Sequence, residues 1–136
     1  MADLYQLSDG DLNEFYRKFE DFFNNEILGK KKLIRNLSSG NRQKIGIAAA
    51  LMPNPEILVL DEPFNSLDPT TQIRLKSMLK TLQNETDVTM LISSHDLNHI
   101  TEVCNRIDIL HEGIIVHDLA TNQDTLKVLE QYFSVS

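Results

Sequence analysis

Two apolar runs in this sequence end in side chains that could act on a bound ligand. Ile57–Leu60 is followed directly by the carboxylates of Asp61 and Glu62, and Val88–Ile92 is followed shortly by His95. If both runs are parallel strands, their polar ends meet at the carboxyl edge of a sheet, where α/β folds bind ligands. Solvated acids at a strand end, and a histidine in a helix cap, are the alternative interpretations of these two segments.

A third segment, Leu37–Gln43, has the composition of an anion site. It opens a predicted helix with small and polar residues, Ser38, Ser39, Gly40 and Asn41. The free backbone N–H groups and the dipole of a helix N-terminus bind phosphates. An ordinary serine N-cap explains the same residues without any ligand, so the segment alone leaves both possibilities open.

Hydrophobic spacing predicts the helices that would carry or flank these segments. Apolar residues recur at three- and four-residue steps in several stretches, and prolines or capping residues mark some of their ends. The expected helices are Asp9–Asn24, the stretch from Ser38–Ser39 to Pro53, the stretch opened by Asp68-Pro69, Leu97–Cys104, and the stretch after a capping box of Thr121 and Asp124.

Short apolar runs predict the strands. Ile57–Leu60 and Val88–Ile92 are continuous enough to be expected as strands buried on both faces. Arg106–Leu110 and Gly113–His117 are expected to form a tight hairpin. Buried strands that alternate with amphipathic helices predict an α/β fold with a mainly parallel sheet and flanking helices.

Composition excludes several classes of protein. The 136 residues are enough for one domain, and 13 Lys and Arg against 20 acidic residues give a net charge of −7, which disfavours binding to nucleic acid. Cys104 is the single cysteine and so cannot form an intrachain disulfide; we expect it to be a small buried residue. The other histidines, His99, His111 and His117, show no metal-binding spacing and are expected at the surface.

The order and spacing of the segments resemble those of the ABC-type ATPase family. Leu37–Gln43 is similar to the signature motif of that family, Ile57–Pro63 to its Walker B strand, Asn65–Asp68 to its D-loop and Ser93–Asp96 to its H-loop. The resemblance extends over the whole chain. It implies that residues 1–36 are a remnant of the helical subdomain and that residues 37–136 are the C-terminal part of an ABC ATPase core.

The resemblance also implies catalytic roles. Asp61 would hold Mg²⁺ through water, and Glu62 would be the general base that orients the attacking water. His95 would contact the γ-phosphate of ATP and fix the geometry of Glu62. These residue types suit phosphoryl transfer, which needs a metal, a positioned water and charge stabilisation more than covalent catalysis.

The signature-like segment would act on the ATP of a partner subunit. Ser38 and Gly40 would bind its γ-phosphate, with Ser39 and Asn41 beside them, and Asp68 would cross the dimer interface. The family usually has two glycines and a glutamine where this chain has Ser39-Gly40-Asn41, and a small hydroxyl residue where this chain has Phe64. Ser39 therefore adds a side chain where backbone and phosphate would approach closely.

A phosphate-binding P-loop is not present in the sequence. That motif needs Gly, four residues, then Gly-Lys-Ser/Thr, whereas the Gly29-Lys30 pair is followed by Lys31 and has Asn24 at the first glycine position. The chain is therefore expected to be the C-terminal portion of a P-loop NTPase domain. Mg²⁺-dependent ATPase activity is expected of the full-length protein and not of this portion alone.

The resemblance as a whole implies the ATP-hydrolysing subunit of an ABC transporter, with an exporter-type subunit favoured. Its partners would be a second ATPase subunit, in a head-to-tail dimer, and an integral membrane permease that holds it at the cytoplasmic face of the membrane. One alternative is a soluble ABC protein that acts on ribosomes or chromosomes. Another is a noncatalytic dimerisation or binding module.

Overall fold

Helices and strands alternate along the chain. The computed structural model describes residues 8–23 and 34–135, so Gly29 and Lys30 lie outside the described residues. The helices are α1 (Asp9–Phe23), α2 (Ser39–Leu51), α3 (Pro69–Glu85), α4 (Leu97–Val103) and α5 (Thr125–Val135), and a 3₁₀ turn covers Ile34–Asn36. The strands are β1 (Ile57–Asp61), β2 (Thr89–Ser93), β3 (Arg106–His111) and β4 (Ile114–Ala120).

The starts of α2 and α3 follow the predicted capping residues. The Ser38 hydroxyl oxygen accepts a hydrogen bond from the Asn41 N–H at 3.2 Å, and α2 begins at the next residue. Asp68 Oδ1 accepts from the Thr71 N–H at 3.1 Å, and Pro69 is the first residue of α3. Both caps satisfy backbone donors that have no partner within the helix.

The start of α5 differs from the prediction. Thr121 and Asp124 do not form a capping box. The Thr125 hydroxyl instead accepts from the Asn122 N–H at 2.8 Å and reaches the Ala120 carbonyl at 3.3 Å. The Thr121 hydroxyl is buried and has no hydrogen-bond partner within the part of the chain that the structure describes. Hydrogen bonds from a side chain to the neighbouring backbone compete with the expected cap. Here the Thr125 hydroxyl makes such bonds, and the capping box does not form.

One strand pair is parallel and the other is antiparallel. β1 and β2 pair in parallel, with Ile57 opposite Thr89 and Asp61 opposite Ser93. β3 and β4 form the predicted hairpin, whose turn has positive φ at Glu112 (47°) and Gly113 (80°), as a tight two-residue turn requires. The α/β class is thus confirmed. Parallel pairing between described strands is confined to β1 and β2.

The main core lies between the helices and one face of the β1–β2 pair. It is built from the phenylalanines of α1, the leucines of α3, one face of α2, and Leu58 and Leu60 of β1. The alternate residues of the strands face the other way, and Ile57, Val59 and Leu91 are 69%, 63% and 65% exposed. The prediction of strands buried on both faces is therefore wrong for the described residues, because their apolar side chains pack against one face only.

A second, smaller core joins the hairpin to the last two helices. Ile107, Ile109 and Leu129 are buried in it, and Cys104 packs against them. Cys104 is half-buried, so it is less enclosed than the predicted buried residue, and its partial burial raises the pKa of the thiol. Among the described helices, none combines the length and the apolar character that crossing a bilayer requires.

Candidate functional site

The polar ends of β1 and β2 meet as the sequence predicted. Ser93, at the end of β2, lies opposite Asp61 in the strand register. Its hydroxyl donates to Asp61 Oδ1 at 2.5 Å and accepts from the Glu62 N–H at 3.0 Å. Ser93 thereby fixes the direction of one carboxylate and the backbone of the next. Sequence reasoning assigned it no role, although its place directly after the second apolar run was a usable signal.

The loops that follow these strands bring the two predicted catalytic side chains into contact. We call residues 62–67 the β1 loop and residues 94–96 the β2 loop. His95 Nδ1 lies 2.8 Å from Glu62 Oε1, while Glu62 Oε2 is buried without a hydrogen-bond partner in the described part of the protein. The hydrogen bond to Glu62 and the negative charge of its carboxylate raise the pKa of His95, so the protonated imidazole persists to higher pH.

The backbone of Glu62 is in the left-handed region, with φ of 46°. A residue with a side chain pays on the order of 1–3 kcal/mol for such a conformation unless its surroundings hold it there. Two donors hold the Glu62 carbonyl: the side-chain amide of Gln43 at 3.3 Å and the Asn65 N–H at 3.1 Å. Gln43 lies on α2, so this helix helps to set the conformation of the β1 loop. Sequence reasoning did not identify this contact.

The start of α2 packs against the same loop. A Cβ atom added to Gly40 would lie 2.7 Å from the backbone oxygen of Ser66, closer than any real contact allows. Ser38 and Ser39 are exposed, and Asn41 is half-buried. The structure therefore accounts for Ser38 as a cap and for Gly40 as a point of close approach. The phosphate-binding roles of Ser38, Ser39, Gly40 and Asn41 stay predictions.

Comparison with known proteins gives matches over most of the chain. Residues 7–65 match the family described as ABC transporter. The bacitracin transport ATP-binding protein BcrA of Enterococcus faecalis is 42% identical over 98 residues, which cover 69% of this chain and 32% of that protein. The oligopeptide transport ATP-binding protein OppF of Streptococcus pyogenes is 40% identical over 86 residues, 63% of this chain and 28% of that protein.

Comparison with solved structures also finds ATP-binding proteins of ABC transporters. A dimeric ATP-binding cassette, in a post-hydrolysis state with ADP and phosphate, superimposes with a TM-score of 0.73 at 26% identity, over 85% of this chain and 50% of that one. The matches in sequence and in structure together indicate an ABC transporter nucleotide-binding domain. An ATP-binding subunit of an ABC transporter, 24% identical, shares the fold with a TM-score of 0.77 over 97% of this chain and 52% of that one. The chain thus spans about a third of these curated relatives and about half of the solved ABC cassettes.

Asp68, in the segment that resembles a D-loop, has a structural function in this fold. Besides its bond to the Thr71 N–H, its Oδ2 accepts from the Thr71 hydroxyl at 2.5 Å. These hydrogen bonds lower the pKa of Asp68, so it remains ionised to lower pH than a free aspartate. The cap was predicted. The additional role at an interface between subunits stays a prediction, as does the division of the chain at residues 36 and 37.

The donor set at Asp61 fits a Mg²⁺ ion that is held mainly by water and phosphate. The described residues contain no group of three or more His, Cys, Asp or Glu side chains that could bind a metal on its own. Mg²⁺ commonly uses one or two carboxylates together with the phosphates of a substrate and keeps several waters. The exposed Asp61 carboxylate, oriented by Ser93, suits that mode of binding.

His99 is not the surface residue that was predicted. Its side chain is only 12% exposed, and its ring lies against Phe64, with centroids 4.4 Å apart. The periodicity of α4 places His99 on a polar side, but the β1 loop covers that side with Phe64. His111 and His117 are exposed, as expected.

Substituting Gly40 with alanine should destabilise the chain. We expect a loss of about 1–3 kcal/mol, the usual cost of overpacking, because the Ser66 carbonyl belongs to the backbone and cannot move aside alone. Gly46→Ala is the matched control on the same helix, since nothing lies within 4 Å of the added Cβ. That control should raise stability by roughly 0.5–1 kcal/mol. Urea unfolding followed by circular dichroism measures both. Equal effects of the two substitutions would show that the close approach is not real.

Proposed function

We propose that this chain is part of the ATP-hydrolysing subunit of an ABC transporter. The observation that carries the proposal is the contact between Glu62 and His95 at the end of the β1–β2 pair. It puts a carboxylate with an unpartnered buried oxygen next to a histidine whose pKa is raised. Such an arrangement can orient a water molecule and accept its proton.

Each residue of the site has a distinct task in this proposal. His95 holds Oε1 of Glu62, so the carboxylate has one defined direction. The attacking water would approach the Glu62 side chain from its solvent side, where 30% of it is exposed. Asp61, held by Ser93, keeps one carboxylate ready for the water shell of a Mg²⁺ ion. When bound, that ion would neutralise the charge on the phosphates of ATP. The exposed ring of His95 faces the solvent side, where a γ-phosphate could reach it.

The proposed partners follow from the relatives. Two copies would bind ATP head to tail, with Ser38–Asn41 and Asp68 of one subunit facing the nucleotide of the other. An integral membrane permease would hold the pair at the cytoplasmic face of the membrane. The relatives are named for transport of bacitracin, oligopeptides and methionine, so the proposal covers transport and no particular cargo.

The test compares the complete subunit that contains these residues with the 136-residue chain alone. The complete subunit should release phosphate from ATP, and removal of Mg²⁺ with a chelator should stop it. The chain alone should show no release and no micromolar binding of a fluorescent ATP analogue, because its sequence holds no Gly-x4-Gly-Lys-Ser/Thr motif.

Asp61→Asn serves as the control for contaminating ATPases, since any release that survives it does not come from this site. Complete subunits that neither bind nor hydrolyse ATP, with and without a permease, would refute the proposed function. Tight ATP binding by the chain alone would refute the assignment of the missing motif as the main phosphate site.

A further inference from the structure

The ring contact between His99 and Phe64 joins the β1 loop to α4. Phe64 lies two residues after Glu62, and its side chain is 2% exposed. Its backbone carbonyl accepts from the side-chain amide of Gln72, on α3, at 3.2 Å. The phenylalanine is therefore held on both its backbone and its ring, and His99 supplies the ring contact.

His99 is also tied to the β2 loop. Its Nε2 lies 3.6 Å from Asp96 Oδ2, and Asp96 directly follows His95. Asp96 Oδ1 accepts from the N–H groups of Asn98 and His99, at 2.9 and 3.4 Å, which fixes the first turn of α4 to the same loop. One imidazole thus contacts the residue next to His95 and the residue two positions from Glu62.

The position of His99 is unfavourable for stability alone. Its Nδ1 is buried, and no hydrogen-bond partner for it occurs among residues 8–23 and 34–135. A buried polar atom without a partner costs free energy, so an apolar side chain would fill the same space more favourably. The contacts of His99 with the β1 loop and the β2 loop point to a role other than stability.

We propose that His99 is a positioning residue: its ring, packed on Phe64 and next to Asp96, keeps the β1 loop at the separation from the β2 loop that brings Glu62 to His95. The inference rests on the proposed function for its importance to hydrolysis, and its geometric part is independent of that function. The bond between Glu62 and His95 cannot set this separation alone, because the His95 side chain is 76% exposed and competes with water. Ser93 fixes Asp61 and the Glu62 backbone, and it lies on the strand side of the site.

The experiment uses three variants of the complete subunit. His99→Ala removes the ring and the contact with Asp96. His99→Phe keeps an aromatic ring against Phe64 and fills the same space. His117→Ala is the matched control, because His117 also makes a ring contact, with Tyr132 at 5.2 Å, but it is exposed and lies on the hairpin.

The first readout is the spectrum of ¹³C-labelled histidine, in which His95 is assigned by its absence in His95→Asn. In His99→Ala the His95 resonance should move toward its position in Glu62→Gln, where the carboxylate partner is gone. His99→Phe and His117→Ala should leave it in place. This readout needs no turnover, so it tests the geometry even if the subunit proves not to be an ATPase.

The second readout separates kcat from KM for MgATP. Misplacing a catalytic group by about 1 Å costs up to ~10²-fold, so His99→Ala should lower kcat by roughly 10–10²-fold while KM changes little. His99→Phe should recover most of that loss. If His99→Ala does not fold, Phe64→Leu removes the ring partner and keeps a buried apolar side chain, and it should give the same kcat effect. An unmoved His95 resonance, or a His99→Phe variant as impaired as His99→Ala, would overturn the proposal.

Discussion

Glu62→Gln should reduce ATP hydrolysis by the complete subunit about 10²–10⁴-fold, the usual contribution of general-base catalysis. Glutamine keeps the size of the side chain, but the amide cannot accept a proton from the attacking water. ATP binding should be retained, and an ATP-dependent dimer should form more readily because one negative charge near the γ-phosphate is gone. Phosphate release and size-exclusion chromatography with ATP measure the two effects.

Glu56→Gln is the control for this substitution. Glu56 is exposed and directly precedes β1, at the opposite end of the strand from Glu62, so it should keep wild-type turnover. A second signature is available from histidine titration. Because Glu62 is the main cause of the raised pKa of His95, that pKa should fall toward its ordinary value in Glu62→Gln. Retention of more than about a tenth of the turnover would exclude Glu62 as the base, because a loss of less than about tenfold falls short of the smallest loss expected from removing a general base.

Ser38→Arg should abolish the ATP-dependent dimer and leave loading of nucleotide onto each subunit intact. Ser38 is exposed at the start of α2. In the proposed head-to-tail dimer, a long charged side chain there would stand between the two subunits. The substitution also removes an N-cap, which costs about 0.5–2 kcal/mol. Dimer formation with ATP is followed by size-exclusion chromatography, and loading by a fluorescent analogue.

Ser8→Arg is the matched control for the lost cap and the added bulk. The Ser8 hydroxyl accepts from the Asp11 N–H at 3.2 Å at the start of α1, so this variant removes a comparable serine contact on another helix. It should dimerise normally. A Ser38→Arg variant that dimerises as well as Ser8→Arg would mean that Leu37–Gln43 is an ordinary helix start and does not meet a partner's nucleotide.

Local signals were sufficient for much of the fold and for the pairing of the site. The caps at Ser38 and Asp68 depend on residues three positions away, so sequence spacing reveals them. The meeting of Glu62 and His95 follows from two parallel strands whose polar ends share one edge. That geometry needs only the correct assignment of strands.

The remaining features depend on contacts between distant segments. Ser93 acts on Asp61 because the strand register puts the two residues opposite each other, and register is not visible in either run alone. His99 is buried because Phe64, 35 positions earlier, covers a side of α4 that looks polar in isolation. Likewise, Val59 and Leu91 are exposed because packing, rather than hydrophobicity, decides which faces of a strand are covered.

At the left-handed backbone of Glu62, stability and the proposed chemistry favour different residues. Glycine adopts positive φ without a steric cost, so a chain selected only for stability would favour glycine at residue 62. Glycine has no carboxylate and could not perform the proposed proton transfer. In the proposed function, the strained conformation of Glu62 is tolerated for the sake of activity. It is held by hydrogen bonds that its carbonyl accepts from Gln43 and Asn65 and by the one that its N–H donates to the Ser93 hydroxyl. A substitution that makes residue 62 more stable by introducing glycine would therefore remove the carboxylate that the proposed hydrolysis needs.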